Sequence, residues 1–220
     1  MNLAECIEIQ GEGVEERLRE LGLPLDSAMD AVRTVGLMHA LAVGNHPPWY
    51  GGSTAYGEST KVLRDRLMPL GWTRFNFQGS DLTRSPDGSI VIRTRGGNSR
   101  VGLPGIPGKP AGPKHPIGKA TAEMVNDPRV LIDGQLDLFR DEDEPVGDAP
   151  PDVKTYWLLT YVDGASLRSE LSYALGVKKG KIVDWVERIL LPEIHLGDEP
   201  EVATEDDQDT EAEIVVTEKS

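Results

Sequence analysis

The sequence predicts an α+β fold: N-terminal helices with a β-hairpin, a small C-terminal antiparallel three-stranded sheet, and a disordered acidic tail. Three observations carry this expectation. Apolar residues recur at helical spacing up to about residue 70 and then alternate. Pro-Asp-Gly, Asp-Gly and Lys-Gly signatures punctuate the alternating stretches. Residues 197–220 hold 10 acids against Lys219 alone, too charged to bury a core.

Val14, Leu18 and Leu21 mark a first helix, which Gly22 and Pro24 stop. Asp26 or Ser27 is placed to cap a second helix running to about Val43, with Met29, Val32, Leu37, Leu41 and nearby residues forming its buried face. WYGGSTAYG reads as a loop, so the third helix is expected to open at Ser59 or Thr60 and to be terminated or kinked by Pro69. Residues 72–77 and 89–95 read as a hairpin around Pro86-Asp87-Gly88. Residues 96–118 are dominated by Gly and Pro and predict no regular structure, and a short helix is expected over about 118–126. TYWLLTYV, SLRSELSYAL and KIVDWVERILLPEI then read as three antiparallel strands. Their apolar face needs covering, by the N-terminal helices or by a second copy in a homo-oligomer. The resulting division is 1–95, a linker at 96–118, 119–139, an acidic linker at 140–153, a β unit at 154–196, and the tail at 197–220.

Composition narrows the class. With 38% hydrophobic residues, 24 Gly and 16 Pro, much of the chain is expected to be loop or tail. The single Cys6 excludes an intramolecular disulfide, and the start MNLAECIEIQGEG has neither the basic nor the apolar segment of a signal peptide. No run approaches membrane-spanning length, so the expectation is a cytoplasmic protein. The net charge of −14 is unevenly spread: residues 60–119 carry 11 basic and 3 acidic side chains between two acidic flanks. Such a basic middle suits a polyanionic partner or neutralisation by the chain's own ends.

Catalytic and cofactor patterns fail. GPKHPIGK, at 112–119, has the wrong glycine spacing for a phosphate-binding loop, and Ala120 stands where a hydroxyl should follow. His39, His46, His115 and His195 have no metal-ligand spacing, and Cys6 has no nearby His. The expectation is a non-enzymatic protein without cofactor or metal.

One pentapeptide stands out. Gln135, Leu136, Asp137, Leu138 and Phe139 spell QLDLF, which resembles the Gln-Leu-Ser/Asp-Leu-Phe motif that holds proteins to the bacterial β sliding clamp. The match is complete, and chance would produce it about once in a thousand chains of this length. The resemblance implies the sliding clamp as partner, with Leu138 and Phe139 entering an apolar pocket and Gln135 setting register through its amide. Asp137 would face solvent and Leu136 would add a smaller contact. The Gly/Pro/Lys-rich middle, the QLDLF segment and the C-terminal strand pattern together resemble small open reading frames of prophages in Gram-negative bacteria. That resemblance implies no biochemical activity by itself; with a clamp motif, the expectation for a protein of that origin is recruitment or blocking of the host replication machinery.

Two other readings stand beside it. Val130-Leu131-Ile132 and Leu136-Asp137-Leu138 can pair around Asp133-Gly134, making the pentapeptide a buried strand in a structural or assembly protein. Alternatively Arg74, Arg84, Arg93, Arg95 and Arg100, interleaved with Phe75 and Phe77, form a DNA-contacting hairpin in which Arg meets phosphate and Phe stacks on bases.

Overall fold

The computed structural model describes residues 6–105, 110–127 and 153–196. Within them the fold is α+β, with four α-helices, an eight-stranded mixed sheet and a two-stranded antiparallel ribbon. The N-terminal part comprises β1 (Ile7–Ile9), α1 (Gly13–Glu20), α2 (Leu25–Ala40) and α3 (Tyr50–Leu67), closed by a 3-10 turn at Met68–Leu70. β2 (Thr73–Phe77), β3 (Ser80–Arg84), β4 (Ile90–Gly96) and α4 (Lys119–Asn126) follow. The C-terminal part holds β5 (Lys154–Asp163), β6 (Ser166–Ala174), β7 (Val177–Lys178), β8 (Lys181–Ile182), β9 (Trp185–Leu190) and β10 (Ile194–His195). No helix among the described residues is long and apolar enough to cross a membrane.

The helices depart from expectation at their ends. α2 begins at Leu25 behind an extended Pro24 (φ −60°, ψ 138°), and no side chain caps it. Ser27 is instead buried within the helix, so neither Asp26 nor Ser27 does the capping, and of the expected buried face Met29 and Val32 are buried whereas Leu37 and Leu41 are exposed. α2 stops at Ala40 rather than near Val43, because the corner has partners of its own. The Val43 N–H donates to His46 Nδ1 at 3.1 Å, and the His46 ring stacks on Tyr50 with centroids 3.9 Å apart.

The largest local correction is α3. It starts at Tyr50, so most of the expected WYGGSTAYG loop is helical. Gly normally weakens a helix by about 1 kcal/mol. Here a Cβ on Gly51 would lie 3.0 Å from the Ala42 Cβ, so the missing side chain lets α2 and α3 close against each other. Packing outweighs propensity. Pro69 falls just beyond α3, and Gly71 ends the following turn in the left-handed region at φ 87°.

The sheet runs β1-β9-β6-β5-β4-β3-β2, with β10 also pairing β6. The expected hairpin between 72–77 and 89–95 is interrupted by β3, which pairs with both neighbours. Its sequence, SDLTR, has a single strongly apolar residue and gives little pattern to read. Gln78 and Gly79 turn the chain between β2 and β3 with φ of 47° and 77°, the paired positive values of a tight right-twisting hairpin.

The three C-terminal strands are antiparallel as expected, but they are the middle of the sheet and not a separate one. β5 runs parallel to β4 from Ile90↔Lys154 to Gly96↔Thr160, and β1 runs parallel to β9. Both faces are covered, which explains the nearly unbroken burial from Thr155 to Thr160. On one face Leu158, Leu167, Leu171 and Ile189 pack in a cluster with Leu18 and Val32 of the helices. On the other, Trp157, Leu159 and Trp185 meet Val101 and Ile117 of the Gly/Pro-rich segment and Met124 of α4. The face on which the homo-oligomer expectation rested is therefore covered within the chain. Each large apolar side chain removed from water contributes roughly 1.5–3 kcal/mol.

Two ionic networks are embedded in these layers. Glu187 accepts from Tyr156 Oη at 2.7 Å and from Arg17 Nε at 2.7 Å, fastening α1 to β5 and β9. Burial and the Glu187 hydrogen bond hold the Tyr156 phenol above its ordinary range. On the other face Arg188 Nε and Nη2 donate to Glu170, Nη1 donates to Glu8 at 2.9 Å, and Nη2 also reaches the Leu103 carbonyl at 2.9 Å. Glu170 additionally accepts from Ser172 Oγ and from the Gly102 N–H, each at 2.9 Å.

Candidate ligand-binding cleft

A cleft of about 510 Å³ opens between α2, the first turns of α3, and the carboxyl ends of β4 and β5. Small-molecule sites commonly occupy roughly 300–1,000 Å³. Its buried wall is formed by Ala31 and Val35 of α2, Ala55 of α3 and Leu158 of β5, with the Ser59, Thr94 and Thr160 hydroxyl side chains among them. Thr94 is positioned by a 2.5 Å hydrogen bond to Thr60 across the α3–β4 interface.

The mouth is different. His39, Trp49, Arg95, Lys114 and His115 line it together with Tyr56. Trp49 is 67% exposed, an unusual placement for an indole and one that leaves its ring accessible at the rim. The Arg95 guanidinium lies 5.9 Å from the centre of the Tyr56 ring. Among the described residues no Asp or Glu lines the cleft. Among the described residues neither Arg95 nor Lys114 has a carboxylate partner. Partial burial of its ring and the neighbouring Lys114 ammonium hold His39 below the usual imidazole range.

Backbone pairing puts Lys114 at this mouth. The chain leaves β4 at Gly96, and the Gly97 N–H donates to the Thr160 carbonyl at 2.7 Å. The returning segment is tied back through Asn98 N–H to Gly112 O and Lys114 N–H to Gly96 O, both at 2.9 Å. Among its described residues 97–118 forms no helix or strand beyond the Gly97–Pro113 bridge, as its Gly and Pro content predicts, but these cross-ties were not legible. Lys114 and His115 come from a failed phosphate-loop match, and His39 reads from the sequence as an ordinary packed histidine. The sequence signal that bears on this mouth was the basic balance of residues 60–119, to which Arg95 and Lys114 contribute and His39 does not.

The expected arginine–aromatic surface is not assembled as one face. Phe75 and Phe77 are 6% and 1% exposed and belong to the core, so neither ring presents a stacking platform. Arg84 lies against the Phe75 ring, with its guanidinium 5.3 Å from the centre. Arg93 is buried, donating to Ser80 Oγ at 3.0 Å and Thr121 Oγ1 at 2.5 Å beside the Trp157 ring. Burial, with Arg95 nearby, pushes Arg93 down to about 10. Arg100 reaches the Pro104 carbonyl, Arg74 is exposed, and Arg95 belongs to the cleft. Residues Gln135, Leu136, Asp137, Leu138 and Phe139 lie outside the described residues.

Among the described residues no group of three or more His, Cys, Asp or Glu side chains is arranged to hold a metal ion. Fold and cleft together define a mixed-sheet α+β protein with a cation-rimmed, apolar-walled recess. Comparison with protein families, curated proteins and solved structures finds no match.

Proposed function

We propose that this chain is a non-enzymatic interaction protein that docks on a bacterial β sliding clamp through Gln135–Phe139. The observation that carries the reading is the complete QLDLF match. Its place in the chain supports it: residues 128–152 join α4 to β5, and Met124, Val125 and Val153 on either side are core residues. A groove-bound peptide between two anchored ends would hold the whole folded unit on the clamp. Leu138 and Phe139 supply the apolar burial and Gln135 the polar register, for a total near −8 kcal/mol at micromolar affinity. Occupying the groove excludes polymerase or repair factors that use the same site, so modulation of replication or repair is by competition or recruitment and requires no bond chemistry.

The test is titration of purified clamp with wild type and with a Gln135→Ala, Leu138→Ala, Phe139→Ala variant by calorimetry. Micromolar binding by wild type and loss of at least about a hundredfold in the variant, with unchanged melting, is the expected result. Equal behaviour of the two folded proteins removes the proposal. A variant that instead melts well below wild type points to the buried-strand reading, in which those side chains hold the fold together.

A further inference from the structure

The cleft described above is independent of the clamp motif and has a ligand chemistry of its own. Its wall is neutral, with Ala31, Val35, Ala55 and Leu158 alternating with hydroxyls, while its mouth is cationic. A recess with this polarity gradient suits a molecule with an apolar body and one anionic end. We propose that the cleft binds an organic monocarboxylate of about ten heavy atoms, with its apolar body inward and its carboxylate between Arg95 and Lys114.

Charge complementarity sets the sign. Arg95 and Lys114 stand at the mouth without carboxylate partners among the described residues, in a chain of net charge −14. A guanidinium fork donates two parallel hydrogen bonds to a carboxylate, and an ammonium adds a third donor. The first turn of α3 lies at the same mouth and contains no acid, so its positive dipole end is not neutralised there. Two features disfavour a polyphosphate. Pro48 and Pro113 line the cleft where backbone N–H donors would be needed to cradle phosphate oxygens, and the inner wall is too apolar for a second charged group. Exposed Trp49, which lines the same cleft as Tyr56, gives the entering apolar body a surface to slide along and a fluorescent reporter of its arrival.

An isosteric series separates charge from apolar burial. The full chain is titrated with octanoate, 1-octanol and octylammonium at neutral pH, following heat and Trp fluorescence, with adenosine monophosphate and inorganic phosphate as further arms. Octanoate should bind at least about tenfold tighter than octanol and octylammonium, and inorganic phosphate should be weaker than octanoate because it leaves the wall empty. Arg95→Gln and Lys114→Gln should each weaken octanoate about tenfold and leave octanol unchanged. Ala55→Leu, which fills the wall, should weaken octanoate and octanol together.

The proposal is overturned if octanol or octylammonium matches octanoate, or if both rim variants bind octanoate as wild type does. Tighter binding of adenosine monophosphate than of octanoate would also overturn it, in favour of a nucleotide site. The comparison of the three C8 ligands on unmodified protein stands even if Ala55→Leu fails to fold. Because no step uses Gln135–Phe139, the clamp titration and this series succeed or fail separately.

Discussion

Replacing Arg188 with Met leaves Glu170 as a carboxylate with no cation in the interior of the sheet. Glu170 is 0% exposed and the Arg188 side chain 5%, so water cannot replace what is removed. Two charge-assisted hydrogen bonds to Glu170 disappear, from Nε at 3.2 Å and from Nη2, while those from Ser172 Oγ and the Gly102 N–H remain. Hydrogen bonds to charged groups contribute about 1.5–3 kcal/mol each, and breaking a buried pair from one side typically costs about 3–5 kcal/mol. We expect a loss of about 4 kcal/mol, a large share of the roughly 5–15 kcal/mol that holds a domain folded. Urea denaturation at neutral pH, followed by Trp fluorescence, measures it directly. The double variant Arg188→Met, Glu170→Met removes the stranded charge and should be more stable than the single variant by about 2 kcal/mol. A single-variant cost below about 1 kcal/mol, or a double variant no better than the single, refutes the reasoning.

Arg93 makes the opposite case, because it is buried against hydroxyls and an indole with no carboxylate bonded to it. Arg93→Met should be neutral or stabilising by about 1 kcal/mol in a thermal melt, since Ser80 and Thr121 can still bond each other at 3.3 Å; a clear drop in Tm contradicts this. Gly51→Val should cost about 2 kcal/mol by forcing α2 and α3 apart, whereas Gly52→Ala, with nothing within 4 Å of its added Cβ, should be neutral or stabilising by up to about 1 kcal/mol; equal effects on Tm would refute the packing account of α3. Asp87 is held below its ordinary 3.8 by hydrogen bonds from the Ser85 and Ser89 hydroxyls and the Ser89 N–H. Its folded value is the lower one, so this contribution is complete well above pH 4 and is lost as pH falls below 3.8 through the depressed value; Asp87→Asn should flatten that part of the stability–pH curve measured by urea titration.

What the sequence disclosed follows from where local and long-range physics agree. α1 and the end of α3 were legible because apolar spacing, Gly22 and Pro69 all give the same answer. The three C-terminal strands were legible because alternation and turn residues coincide. The start of α3 was hidden because the gain comes from a neighbour, Ala42, that no local window weighs against Gly51. β3 was hidden because SDLTR is held by β2 and β4 on its two sides more than by its own side chains. The cleft could not be read at all as a unit. His39, Arg95 and Lys114 lie on a helix, a strand and a loop, and only the ties from Gly97 to Thr160 and from Lys114 to Gly96 bring the latter two to one mouth. The pentapeptide is the converse, a feature legible in five letters without any fold.

The strand order has a consequence for how this protein is made. The contiguous C-terminal block β9-β6-β5 sits between two N-terminal strands, β1 on one flank and β4 on the other. A nascent chain that has emerged only to residue 127 therefore holds β4 without β5 and β1 without β9, its strand partner among the described residues. Such edges are templates for wrong pairing, so the interval before β5–β9 leave the ribosome is the protein's most aggregation-prone moment. The same arrangement ties early and late parts of the chain into one sheet, because β9-β6-β5 is clasped between β1 and β4.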